Sequence, residues 1–221
     1  MKHILVYLSL IVGLFVSCQR TSQFTIEGVI SNAEGETLYL EHTALMKTSV
    51  VDSCILTDEG DFLLQASAPQ YPDFYRLRIG GSSLILAVDS TETISITATR
   101  EGLANTLSIE GSNCTSAIAQ LRANAHTASR EELRKEAQKI IIANPRSLAA
   151  YYAVFMKLGK EYIWNIFDPA DRRMYQAVAT SFYTWMPEYE RTKALYAQVT
   201  DVMQAERNAT NQAVVRQLID N

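Results

Sequence analysis

The apolar residues of this chain change their period once, near residue 112, and that change limits the folds open to it. Before it, apolar and polar residues alternate in short runs parted by turn signals; after it, apolar positions recur every three or four residues. Phe24, Ile26 and Ile30 alternate around Gly28, and Leu38 and Leu40 share one face of the run 37–42. Further runs cover 50–56, 62–64, 74–79, 84–88, 93–98 and 106–110. Gly80-Gly81 joins two of them and reads as a hairpin turn, because a two-residue loop that follows strand twist needs positive φ. Seven of the nine glycines fall between Gly28 and Gly111. Eight short strands with regular turns predict an antiparallel β-sandwich or open barrel over residues 24–111.

Residues 112–221 read as helices, which makes the class α+β. Ala117, Ile118, Leu121 and Ala125 form one stripe behind a cap at Ser112 or Asn113. Ser129-Arg130-Glu131-Glu132 has the form of a capping box, with Leu133, Ala137, Ile140 and Ile141 behind it. Asn144-Pro145 is expected to open a helix that Gly159 ends, and Asp168-Pro169 repeats the same start. A further helix follows Pro187, with Leu195, Tyr196, Val199, Val202 and Met203 as its stripe. Twelve of the twenty aromatic residues lie between Tyr151 and Tyr196. Packing of helix on helix is their expected role, with a ligand groove as the alternative.

The first residues carry an address. Lys2 and His3 precede an apolar run over residues 4–16, which as a helix spans about 20 Å, short of a hydrocarbon core of about 30 Å. Residues 1–17 therefore read as an export leader. Leu14-Phe15-Val16-Ser17-Cys18 resembles a bacterial lipobox, with Phe15 where leucine is usual. The resemblance implies that Cys18 becomes the acylated N-terminus, that residues 18–23 are a tether, and that membrane contact is made through the lipid. Gln19 follows the cysteine where an inner-membrane retention signal would place aspartate. The expected address is the outer membrane of a bacterial envelope, facing the periplasm.

The chain is poor in chemistry-bearing constellations. Its 48% hydrophobic and 20% charged residues are those of a globular protein, and a formal charge of −4 gives no reason to expect nucleic acid as a partner. Besides Cys18, only Cys54 and Cys114 remain, too far apart for a redox pair or a zinc knuckle. Alternation places Cys54 on the face of Val50 and Leu56, as a buried thiol; a Cys54–Cys114 disulfide is the alternative. His42 and His126 stand alone and read as surface residues. Glu131, Glu132 and Glu136 interleave with Arg130, Arg134 and Lys135, as on a solvated helix face. Asp89-Ser90-Thr91 resembles an acceptor for periplasmic O-glycosylation at Ser90, though an ordinary turn explains it as well. No catalytic residue, metal ligand or cofactor is assigned.

Several strand and turn signals occur in a familiar order: Phe24-Thr25-Ile26-Glu27-Gly28, Val51-Asp52-Ser53, Asp58-Glu59-Gly60-Asp61-Phe62, Pro72-Asp73-Phe74-Tyr75-Arg76-Leu77 and Ile109-Glu110-Gly111-Ser112. Together they resemble the β-rich domain of unknown function that precedes an AhpC/TSA-type thioredoxin-like domain in envelope lipoproteins. Asn144-Pro145-Arg146-Ser147-Leu148 resembles the helical connector of the same proteins. The W-C-x-x-C turn that does their chemistry is absent: Trp164 and Trp185 are followed by Asn165 and Met186. The resemblance implies a non-catalytic, lipid-anchored periplasmic module that binds a partner or positions a thioredoxin-like redox domain. A thiol-disulfide oxidoreductase lacking its catalytic domain and a carbohydrate- or peptide-binding lipoprotein are the competing expectations.

Overall fold

The computed structural model describes residues 22–103 and 108–219; the expected leader and Cys18 lie outside them. Eight strands come first: β1 (Gln23–Ser31), β2 (Thr37–Thr43), β3 (Thr48–Ile55), β4 (Asp61–Ser67), β5 (Asp73–Ile79), β6 (Ser82–Val88), β7 (Thr93–Thr99) and β8 (Ser108–Glu110). Five helices follow: α1 (Asn113–Asn124), α2 (Arg130–Ala143), α3 (Leu148–Val154), α4 (Pro169–Trp185) and α5 (Glu190–Ile219). Between α3 and α4 lies a small hairpin of β9 (Lys157–Leu158) and β10 (Glu161–Tyr162). The protein is α+β, and its large sheets are open, not closed into a barrel.

Two four-stranded sheets, ordered β4-β1-β7-β8 and β3-β2-β5-β6, pack face to face. Register explains which residues meet. Ile26 pairs with Leu64 and Ile94 in one sheet, and Leu77 with Leu40 and Leu84 in the other, so period-two alternation points all six inward. Each is fully buried, which contributes about 1.5–3 kcal/mol per side chain relative to exposure. One pairing departs from the expected antiparallel sandwich: β1 and β7 run parallel. Parallel neighbours need a long crossover, and the intervening chain supplies it: β2, β3, β5 and β6 build the second sheet, while β4 returns to pair with β1. Gly28 lies at this junction with φ +144°, and a Cβ there would stand 1.9 Å from the Ile96 carbonyl oxygen. A side chain is excluded.

The chain leaves the sandwich at Gly111, and α1 immediately closes an edge of it. β6 is an edge strand, so its outward backbone groups need other partners. Thr115 Oγ1 accepts the Ala87 N–H at 2.9 Å and donates to the Ala87 carbonyl at 3.2 Å. Ser112 Oγ also donates to that carbonyl, at 3.2 Å, while capping α1 through the Thr115 N–H. The second edge, between β3 and β4, is bridged by Asp52, whose Oδ2 accepts the Gln65 N–H at 2.8 Å.

The helices form their own core, and it includes Phe74 and Ala87 from the outer face of the second sheet. The capping box forms as expected, with Glu132 Oε2 accepting the Ser129 N–H at 2.8 Å. Asp168 caps α4 through the Ala170 N–H at 2.7 Å. The helix expected from Asn144-Pro145 starts later, because Asn144 ends α2 and Ser147 Oγ takes the Ala150 N–H at 3.1 Å. It also stops before Leu158, since Gly159 at φ +63° turns the chain into the β9–β10 hairpin. Aromatic packing fills much of this core: Tyr151 lies 5.5 Å from Phe182, and Phe155 lies 5.7 Å from Tyr175, centroid to centroid. On α5, Leu195 and Val199 are buried, whereas Tyr196 and Met203 are exposed. No described helix is long and apolar enough to cross a membrane.

Candidate functional site

The seam between the second sheet and the helices gathers most of the buried polar chemistry among the described residues. Asp73, first residue of β5, is its hub. Asp73 Oδ1 accepts the Tyr189 hydroxyl at 2.7 Å and the Arg191 Nε–H at 3.2 Å, and Oδ2 accepts His42 Nε2–H at 2.8 Å. Arg191, on the first turn of α5, also donates to the Thr43 carbonyl and lies over the Phe74 ring at 5.0 Å. Arg191 is 8% exposed, so its charge depends on these partners. Burial opposes the Arg191 charge, but Tyr189 and Asp73 outweigh it and hold the guanidinium pKa above its ordinary value. The Tyr189 phenol is pushed up by burial and by the Asp73 charge, and stays protonated. His42, read from sequence as a surface residue, is thus part of a latch; His126 is exposed.

Beside the latch, the outer face of the second sheet carries a second charged group. Glu41 of β2 is 5% exposed and lies between Arg76 and Arg78 of β5. Arg76 Nε and Arg78 Nε each donate to it at 2.7 Å. Burial would raise the Glu41 carboxyl, but the two guanidiniums together hold it below its ordinary value. A cavity of about 480 Å³ opens between this face and the helices. Phe74, Tyr75 and Ile85 form its sheet wall; Arg122, Tyr151, Tyr152 and Phe155 form its helical wall; Thr43, Lys157 and Arg191 border it. One nitrogen of Arg122 (NH1) and Thr43 Oγ1 are buried without a hydrogen-bond partner.

A third charged cluster binds helix to helix. Arg134 of α2 forms a two-pronged pair with Asp171 of α4, donates to the Ile163 carbonyl at 2.6 Å and lies 4.3 Å over the Trp164 ring. Hydrogen bonding from Arg134 pulls the Asp171 carboxyl below its usual range. The solvated-face reading of α2 thus applies to Glu131 and Lys135, an i,i+4 pair, but not to Arg134. Glu136 accepts from the Asn124 side chain at 2.9 Å.

The remaining candidates lie apart from the seam latch. Cys54 and Cys114 are both free thiols and pack against different cores. Cys54 is only half-buried, and Val50, expected on its face, is exposed; a register shift opposite Leu40 and Glu41 puts an extra residue into β3 and reverses its alternation. Burial raises the Cys54 thiol and pushes Cys114 up to about 12, so both are protonated near neutral pH. The Cys114 sulfur accepts the Ala149 N–H at 3.0 Å and borders a second cavity of about 720 Å³, beside Trp185 and Arg146. Ser90 is exposed on the turn from β6 to β7. Among the described residues, no three His, Cys, Asp or Glu side chains cluster as metal ligands would.

Sequence reasoning missed the latch and the Arg134–Asp171 pair. Asp73 and Arg191 stand 118 residues apart, beyond any local pattern. One signal was available: the run 84–88 is apolar on both faces, which implies a layer covering the outside of that strand.

The fold is thus an open two-sheet sandwich with a helical layer docked on one sheet. Residues 24–116 match the family model of a domain of unknown function, DUF4369. The matched segment fits the β-rich domain expected from the order of strand signals, and it ends just past Thr115, which closes the β6 edge. No curated protein and no solved structure gives a significant match to the chain.

Proposed function

We propose that this protein is a non-catalytic, lipid-anchored module of the bacterial envelope, attached through Cys18 to the outer membrane and facing the periplasm. Its task is to bind a partner or to position a thioredoxin-like redox domain. The observation that carries the reading is the set of exposed apolar side chains along the β3–β4 edge of the sandwich. Val50 and Ile55 on β3, Leu63 on β4 and Met46 before β3 are exposed apolar side chains on neighbouring edge strands. Such a patch at a sheet edge is a surface that a partner covers. The seam latch supports the positioning role, because it fixes the start of α5 against the sheets. The raised thiols argue against Cys54 or Cys114 acting as a nucleophile in their resting state.

Two measurements test this reading. Cys18→Ala is expected to abolish acyl labelling and to move the protein from the membrane to the soluble periplasmic fraction. A photo-crosslinking residue at Leu63 is expected to give one discrete adduct in cells, and the same group at Phe167 none. Retained label in the variant, or insulin reduction by the purified protein, contradicts the proposal.

A further inference from the structure

The cavity between the second sheet and the helices has a composition that the latch does not explain. Among its lining residues are four cationic side chains and no carboxylate. Two of the four are paired from outside it: Arg76 shares Glu41 with Arg78, and Arg191 pairs with Asp73. A third, Lys157, lies 4.5 Å over the Tyr162 ring. Like Lys157, Arg122 has no ion pair among the described residues, and one of its guanidinium nitrogens is buried and unbonded. A buried N–H of a charged group without an acceptor is costly, and native proteins seldom leave one in place. Thr43 lines the same cavity.

From these observations we infer that the cavity binds a small organic monoanion, an apolar or aromatic body bearing one carboxylate, with Arg122 as the group that receives the charge. The Arg122 guanidinium, which lines the cavity, supplies the charge-assisted donor. Aromatic and aliphatic walls take the body of the ligand. The size of about 480 Å³ lies in the range of small-molecule sites, roughly 300–1,000 Å³. This site is independent of the lipid anchor and of the β3–β4 edge, so it stands or falls without them.

The probes are phenylpropionate, its neutral amide phenylpropionamide, and acetate, titrated calorimetrically into the purified protein at constant ionic strength. Phenylpropionate is expected to bind saturably with a dissociation constant of about 1 mM, as a fragment of its size should. The amide and acetate are expected to bind at least about tenfold more weakly, one lacking the charge and the other the body. Arg122→Gln should weaken phenylpropionate by about tenfold to a hundredfold, the worth of one charge-assisted hydrogen bond. Ser83→Phe, which fills the cavity from the β6 side, should abolish binding while the protein keeps its cooperative melting transition. Equal affinity for acid and amide overturns the inference. So does acetate binding as well as phenylpropionate, unchanged affinity in Arg122→Gln, or no saturable phenylpropionate binding by the natural protein at about 10 mM.

Discussion

The sandwich interior and the seam are both buried, yet they are held by different physics. Inside the sandwich every fully buried large side chain is apolar, and the strands satisfy their own backbone groups. At the seam, apolar contact through Phe74 and Ala87 is supplemented by Asp73, Arg191, Tyr189 and His42. Burial of apolar surface is strong but has no direction. Hydrogen-bonded charges add little net stability, but they permit one arrangement, since any other leaves a charge unpaired. The sandwich is therefore where this protein is stable, and the seam is where its geometry is fixed.

The largest effect is expected in the sandwich. Leu77→Ala should cost about 2–5 kcal/mol, because it removes a fully buried side chain that both sheets enclose. Chemical denaturation should show a lower midpoint with an unchanged slope. Asp73→Ala should cost about 3 kcal/mol, chiefly because Arg191 keeps its buried charge without a carboxylate. Asp73→Ala with Arg191→Met should recover part of that loss; a double variant no better than the single would break the distinction drawn here. Thr115→Val should cost about 1–3 kcal/mol by leaving the Ala87 N–H without an acceptor, while the Ala87 carbonyl keeps Ser112. Its signature is faster exchange of the Ala87 amide.

The smallest effect is one of pH. Asp171 has a folded pKa below its unfolded one, held there by Arg134, so its contribution is fully present above the unfolded value of about 4. That contribution is lost as pH falls through the folded value. Melting temperature measured from pH 7 down to about 2 should therefore fall less steeply in Arg134→Gln than in the natural protein. Parallel curves would mean that the pair contributes nothing to acid sensitivity.

Much of the sandwich was legible because its signals are local. Alternation at Phe24 and Ile26, or at Leu38 and Leu40, needs no knowledge of the partner strand. Gly80-Gly81 announced the β5–β6 turn, and Ser129, Glu132, Asp168 and Pro169 announced helix starts through hydrogen bonds within one turn. The parallel pairing of β1 with β7 was not legible, since alternation is the same in either direction. The Val50 side was misjudged because a bulge leaves no mark in the residue pattern. The seam was hidden for a plainer reason: a charged residue reads as exposed until its distant partner is known, and Asp73, Glu41 and Arg191 all have such partners.

Amide hydrogen exchange of the natural protein and of Asp73→Ala tests most directly whether the latch fixes the helices on the sheets. Strong, matched protection of β5 and of residues 190–199 is expected in the natural protein. In the variant, protection should drop at residues 190–199 and around Thr43 while β1 and β7 keep theirs. Unchanged protection at the start of α5, or loss spread evenly over both cores, would contradict it.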